Sequence, residues 1–249
     1  MGMKLYKYRS LETWYDEKEK KLVSGIEYCV DIIKNNRLYL PKREKLNDPY
    51  EGCAIPINLA VCGSGIFSSM GCLHPAIEDE MNSYRVLSLS STAKSMPMWA
   101  HYAGNYNGVC FEFDSDGKLG CAQKMDYIEV PFAGVSELDV SDFSNIVRQN
   151  FYYKSKNWDY EKEYRIVEQT SNEFFEFERK DISKIIVGFK ALERTDVRKQ
   201  IINLARKKEI PIYKVFLTPR RYELSFMPIE KNVDWGEDVI DRINVTDIY

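Results

Sequence analysis

The sequence predicts an α+β protein. Short apolar or alternating runs, which are typical of strands, recur along its 249 residues. Two segments, around positions 26–33 and 193–209, place their apolar residues at helical spacing instead. No internal repeat, heptad run or low-complexity linker interrupts the chain. We therefore expect a single domain over residues 1–249, with a central mixed or antiparallel sheet flanked by helices.

The first predicted elements are a strand, a helix and a strand. The run MKLYKYRSLE alternates between an aromatic face and a polar, cationic face, with Arg9 near its end. The helix over 26–33 stops at Asn35 and Asn36, and RLYLP follows as a short strand. KLNDPYEG then predicts a turn, because the Asp48 side chain can accept a hydrogen bond from nearby backbone.

The central stretch runs from 84 to 113. RVLSLSS and GVCFEF read as two buried strands, joined by a connection that carries Trp99, His101 and Tyr102 and then the turn sequence AGNYNG. Connections between rigid strands often carry functional residues. We therefore expect a site in or beside this connection.

The second half supplies further strands and helices. Residues 127–130 are a possible strand, and a helix is predicted to run to about Tyr153. EYRIVEQ is the next strand, with Glu161 and Glu163 at i and i+2 on one face near its start. A strand, helix, strand unit follows over 182–217, and the tail is 218–249.

Composition narrows the function classes. The net charge of −3 and the absence of long basic runs argue against a wide surface for duplex nucleic acid. The six cysteines form no CxxC pair and the chain has only two histidines, which argues against a zinc site. The apolar run over 53–73 is broken by Pro, Asn, Gly and Ser, so we expect a lid or a loosely packed surface excursion and not a membrane helix. Without a signal peptide, we expect reduced thiols in the cytoplasm, while the even number of cysteines leaves disulfides open.

Three polar groups recur at the ends of predicted strands. They are Arg9, the serines of SLSS (Ser88, Ser90 and Ser91), and the Glu161 and Glu163 pair. A guanidinium binds phosphate, serine hydroxyls can fix a ribose, and a carboxylate favours an oxocarbenium-like transition state. Together these groups are the parts needed to cleave a nicotinamide-ribose bond.

The order of these groups resembles the ADP-ribosyltransferases that carry Arg, then a Ser-x-Ser strand, then Glu-x-Glu. The resemblance implies an ADP-ribosyltransferase-like fold and NAD as the substrate, with a protein or nucleic acid as the acceptor. It implies that Glu163 is the catalytic, ribose-binding carboxylate and that Glu161 steers the acceptor. Arg9 would bind the phosphates, and Ser88 or Ser90 the nicotinamide ribose. SLSS stands where that family has a Thr.

A second resemblance covers more of the chain. The blocks YKYRS, LNDPYEG, MWAHYAGNYNGVCFEF, WDYEKEYR and IIVG, between residues 5 and 188, resemble a widespread bacterial family of uncharacterised proteins. This resemblance implies that the blocks converge in the fold, but it supplies no reaction.

Other interpretations of these residues stay open. Arg9 can form a structural ion pair with Glu161 or Glu163, and His101 is either a general base or a residue that closes the AGNYNG turn. Trp99, Trp158 and Tyr102 can stack on a ligand ring or pack in a core. Two further function classes compete with the NAD enzyme. One is a non-catalytic nucleotide- or partner-binding module, and the other is a metal-assisted phosphoester hydrolase using Asp48, Glu51, Glu161 and His101.

Overall fold

The structure is a computed structural model, and it describes residues 2–16, 20–52, 75–129 and 143–229. The insertion predicted at 53–73 and the tail beyond 229 lie outside the described residues. The strands are β1 Lys4–Ser10, β2 Thr13–Asp16, β3 Lys21–Ser24, β4 Arg37–Tyr39, β5 Tyr84–Ser90, β6 Gly108–Asp114, β7 Gln123–Lys124, β8 Asp126–Ile128, β9 Tyr153–Ser155, β10 Glu163–Gln169, β11 Phe174–Glu176, β12 Ile182–Val187, β13 Ile212–Leu217 and β14 Leu224–Pro228. The helices are α1 Gly25–Asn35, α2 Pro75–Ser83, α3 Met96–Tyr102, α4 Phe143–Asn150, α5 Thr195–Val197 and α6 Asn203–Lys207.

The chain divides into two compact units. Unit one comprises residues 1–37, 92–120 and 177–249, and unit two comprises 38–91 and 121–176. Both units combine strands with helices, so the predicted α+β class is confirmed. The single domain over 1–249 stays a prediction.

Unit one contains the strand order β14-β13-β12-β6-β1. β1 pairs antiparallel with β6 over seven residues, and β12 pairs antiparallel with β6 but parallel with β13. A parallel pair needs a crossover, which α5, α6 and the π-helical turn Arg198–Ile202 between them supply. The strand, helix, strand order predicted for 182–217 is therefore observed.

Helix α1 follows from the pattern of its apolar side chains. Ile26, Cys29 and Ile33 lie on its buried stripe, and the helix contacts β1 and the π-helical turn. Asn36 ends it in the left-handed conformation with φ of 51°. Asn adopts this conformation more readily than most residues, which accounts for the stop that the sequence predicts.

Unit two contains the strand order β5-β10-β7, all antiparallel. β8 and β9 form a separate parallel pair. A hydrophobic core packs α2 and α4 against one face of β5 and β10, and its buried members are Met81, Tyr84, Val86, Met125, Val147, Phe151, Tyr152 and Val167. Val86 and Val167 lie directly opposite each other in this ladder.

Local structure differs from the predictions at four places. The connection carrying Trp99 forms helix α3, which starts after Ser95 accepts a hydrogen bond from the Met98 backbone N–H and has a proline in its first turn. Helix α4 ends at Asn150 and not near Tyr153. The hairpin of β2 and β3 and the helix α2 were not predicted, because charged residues obscure their periodicity.

Candidate functional site

Five charged side chains meet inside unit two, and we call them the ion cluster. Each is at most 4 % exposed. Three carboxylates and two cationic groups take part: Glu51, Glu161, Glu163, Lys154 and Arg165. Charged groups buried to this extent require partners, since leaving water is costly for each of them.

The ion cluster extends the hydrophobic core along one face of two strands. Arg165 and Glu163 precede Val167 at intervals of two on β10, so all three side chains share a face. Opposite them on β5 lie Ser88 and Ser90, in register with Arg165 and Glu163. The face is therefore apolar at one end of the ladder and charged at the other.

Arg165 has a partner for each of its five N–H groups. Its Nε donates to Glu163 Oε1 at 2.6 Å, and its Nη2 donates to Glu51 Oε2 at 2.9 Å and to Glu163 Oε2 at 3.2 Å. Its Nη1 donates to Glu51 Oε1 and to the Phe151 carbonyl oxygen, the latter at 2.8 Å. The planar fork of the guanidinium is saturated, which fixes both carboxylates relative to β10.

Lys154 bridges the carboxylates of Glu161 and Glu163. Its Nζ lies 2.5 Å from Glu161 Oε2 and 3.2 Å from Glu163 Oε2. The same nitrogen lies 4.8 Å from the centre of the Trp158 ring, within the range of a cation–π contact. Lys154 is thus surrounded by two anions and an aromatic face.

Glu161 reaches the ion cluster by a different backbone route from the one predicted. It ends the 3₁₀ helix Lys156–Glu161, and the next residue, Lys162, is left-handed with φ of 47°. The prediction that both acids lie on one strand is therefore wrong for Glu161. The Ser90 hydroxyl donates to the Glu161 carbonyl oxygen at 2.6 Å and holds this junction to β5.

The electrostatics favour the charged forms of the ion cluster. Burial alone would raise the pKa of Glu163, but the positive charges of Arg165 and Lys154 and the hydrogen bond from Ser88 outweigh it, lowering that pKa to about 2. Burial would lower the pKa of Lys154, yet the carboxylates of Glu163 and Glu161 raise it above its ordinary value. Glu163 is therefore a carboxylate near neutral pH.

A tyrosine hydroxyl binds the backbone at the start of β10. The Glu163 backbone N–H donates to the Tyr127 hydroxyl oxygen at 2.8 Å. Burial raises the pKa of this phenol, and the nearby negative charge of Glu163 raises it further. Tyr127 thus stays protonated and keeps its position against the first residue of the strand.

The remaining residues predicted for the site belong to unit one. The guanidinium carbon of Arg9 lies 5.9 Å from the centre of the Tyr28 ring. Trp99 is fully buried, its Nε1 donates to the Ala93 carbonyl oxygen at 2.7 Å, and its ring meets Tyr8 edge to face. His101 is exposed on α3 and Tyr102 is partly buried. The roles predicted for these four residues in NAD binding or catalysis stay predictions.

Asp48, Glu51 and Glu161, which were named for a metal site, bind protein groups in the structure, and the metal-assisted hydrolase stays a prediction. Within residues 2–16, 20–52, 75–129 and 143–229, no group of three or more His, Cys, Asp or Glu side chains could hold a metal ion. Glu51 and Glu161 bind the cations of the ion cluster, and Asp48 Oδ1 accepts a hydrogen bond from the Tyr50 backbone N–H at 2.9 Å. The turn predicted at Asp48 is therefore observed. No helix in the described part of the chain is long and apolar enough to cross a membrane.

Two members of the ion cluster were missed by the sequence analysis. Arg165 has a visible signal, because it lies two residues after Glu163 in the strand EYRIVEQ and so must share its face. Lys154 has none, since the predicted helix was carried to Tyr153 and its short strand could not be recognised. In the structure Lys154 lies on β9, opposite Tyr127 of β8, and its ammonium contacts the carboxylates of Glu161 and Glu163.

Fold and site together define an α+β protein with a buried, ordered ion cluster at one end of an antiparallel ladder. A family model described as a protein of unknown function, DUF2971, matches residues 98–166. The predicted resemblance to a family of uncharacterised proteins is thus confirmed over these residues, and the match includes four of the five residues of the ion cluster, all except Glu51. The comparisons do not support the ADP-ribosyltransferase resemblance. No curated protein and no solved structure gives a significant match.

Proposed function

We propose that the protein cleaves the nicotinamide-ribose bond of NAD, as an ADP-ribosyltransferase-like enzyme or an NAD glycohydrolase. The observation that carries the proposal is the Glu163 carboxylate, which is held ionised at the start of β10 beside two serines of β5. A permanent negative charge in a fixed position suits a reaction that develops positive charge on a ribose.

The reaction follows from the position of this charge. The bond between the nicotinamide nitrogen and the ribose carbon breaks, and its electron pair leaves with nicotinamide. The carboxylate of Glu163 stabilises the cationic ribose carbon and accepts a hydrogen bond from a ribose hydroxyl. Water or an acceptor nucleophile then forms the new bond to that carbon and releases a proton. Ser88 is partly buried and hydrogen-bonds the Glu163 carboxylate, which supports our proposal that it binds a ribose hydroxyl.

The test is release of nicotinamide from labelled NAD. Glu163→Gln keeps the size of the side chain and removes its charge, so we expect the rate to fall by about 100-fold or more. Glu112→Gln is the matched control, because Glu112 is an equally buried, lysine-paired glutamate of unit one. Equal rates for the Glu163→Gln variant and the unaltered protein would exclude the mechanism.

A second candidate is a nucleotide-binding module without catalysis. The observation that favours it is that donors already occupy the Glu163 carboxylate: Arg165 twice, Lys154 once and Ser88 once. A carboxylate accepts about four hydrogen bonds. If this candidate is correct, NAD or ADP-ribose raises the melting temperature of the protein, and no nicotinamide is released over hours.

A further inference from the structure

The proposed reaction conflicts with the charge balance of the ion cluster in its ligand-free state. Two cations, Lys154 and Arg165, bind Glu163 directly. A carboxylate that is already neutralised by two neighbours stabilises a developing positive charge less than one with a single partner. One of the two cations must therefore withdraw before Glu163 can act on a cationic ribose.

The two cations differ in how firmly they are held. Arg165 has five hydrogen bonds to two carboxylates and a carbonyl oxygen, and it is 1 % exposed. Lys154 donates hydrogen bonds to Glu161 and Glu163 through one nitrogen at the end of a flexible four-carbon chain. It lies on a three-residue strand, and Trp158 next to its ammonium is partly exposed. Lys154 is the group that can move.

We infer that Lys154 is an autoinhibitory counter-cation, which occupies Glu163 in the free protein and is displaced by the positively charged nicotinamide end of NAD. The inference rests on the proposed function. The incoming pyridinium ring carries the same charge as the ammonium it replaces, so the ion cluster keeps its charge balance. In the free protein the ammonium of Lys154 lies over the face of Trp158. In the complex the pyridinium ring takes this place and makes a stacked cation–π contact with Trp158.

The first experiment compares NAD cleavage by two lysine variants. Lys154→Gln removes the counter-cation, and we expect its turnover rate to rise by about tenfold. Lys156→Gln is the matched control, because Lys156 lies two residues away on the surface and pairs with the exposed Glu129; its rate should not change. A lower rate in folded Lys154→Gln protein would overturn the inference, since Lys154 would then support the reaction.

A second experiment uses the unaltered protein, in case Lys154→Gln fails to fold. Lysine acylation followed by mass spectrometry measures how accessible each amine is. Lys154 is buried and should be labelled slowly; 1-methylnicotinamide, a pyridinium cation, should increase its labelling by about threefold or more, as expected for an exposed amine. Neutral nicotinamide is the matched ligand and should have little effect. Labelling of Lys154 that stays unchanged at high concentrations of the cation would overturn the displacement.

The two experiments separate failure of the inference from failure of the proposed function. One outcome is cleavage that depends on Glu163, unchanged labelling of Lys154 and a lower rate in Lys154→Gln. It would exclude the inference and support the proposed enzyme activity. If the labelling of Lys154 increases but no variant cleaves NAD, the proposed enzyme activity is excluded and a cation-binding site at Lys154 is supported. If the labelling of Lys154 does not increase and no cleavage is detected, both the inference and the proposed function are excluded.

Discussion

Arg165 and Glu51 form an ion pair with two hydrogen bonds across 114 positions of the sequence. The guanidinium sits on β10, while Glu51 lies in the turn after Asp48. The pair therefore fixes this turn to the sheet of unit two, and it does so where water is excluded.

Loss of the guanidinium should be strongly destabilising. Arg165→Met leaves Glu51 and Glu163 buried without the guanidinium that binds both of them. We expect the free energy of unfolding to fall by about 3–5 kcal/mol, measured by urea denaturation. Lys180→Met, which removes an exposed cation paired with Glu178, should change it far less, because water screens this pair. Equal losses for the two variants would show that the ion cluster is not tightly coupled to folding.

Acid should weaken the protein through Glu163. Its pKa falls from an ordinary value of 4.5 to about 2 in the folded chain. Its stabilising contribution is therefore complete above pH 4.5 and is lost progressively as the pH falls through about 2. We expect Glu163→Gln to flatten the dependence of urea midpoints on pH between about 5 and 2, relative to Glu112→Gln. Parallel curves for these two variants would contradict this expectation.

The two serines of β5 should differ in their effect on stability. Ser90 is 1 % exposed and donates to the Glu161 carbonyl oxygen, so Ser90→Ala leaves a buried acceptor without that donor. We expect a loss of about 1–3 kcal/mol from thermal or chemical unfolding. Ser88 is partly exposed, and water can replace its hydroxyl, so Ser88→Ala should cost less than Ser90→Ala. The reverse order would show that Ser88 is the structural residue.

Trp99 should behave as a core residue in unfolding experiments. Trp99→Phe removes the hydrogen bond to the Ala93 carbonyl oxygen and shrinks a fully buried ring that contacts Tyr8. We expect a loss of about 1–3 kcal/mol in the free energy of unfolding. Measuring NAD affinity on the same variant tests the predicted ligand role of Trp99, because a packing residue changes stability without changing affinity. A changed affinity at unchanged stability would favour the ligand role.

Much of the fold could be predicted because single strands and helices carry their own periodicity. α1 buries one stripe, which is visible as a repeat of about 3.6 residues. β1, β10 and β13 are visible as runs of β-branched and aromatic residues, although their burial does not alternate strictly: β1 buries Leu5 and Tyr8, and β13 buries Ile212 and Val215. α3 could not be recognised, because seven residues with a proline in the first turn give too short a repeat.

The ion cluster was only partly predictable. Glu161 and Glu163 stand out as a charged pair before an apolar strand, and Arg165 follows from the alternation of β10. Glu51 is 114 positions from Arg165 and lies in a turn, so nothing in the sequence connects the two. Lys154 is only seven residues from Glu161, but it lies on a three-residue strand that is too short to be recognised. The left-handed Lys162 also has no signal of its own, although it decides how the Glu161 carboxylate is aimed.

The span of the contact between Glu51 and Arg165 has a kinetic consequence. Contacts between distant segments close large loops, and a buried ion pair forms only after its surroundings have excluded water. The last step of assembly in unit two should therefore be the docking of the turn at Glu51 onto β10. A contact that forms after the transition state for folding affects the unfolding rate alone. Weakening the ion pair should therefore leave the refolding rate unchanged and increase the unfolding rate.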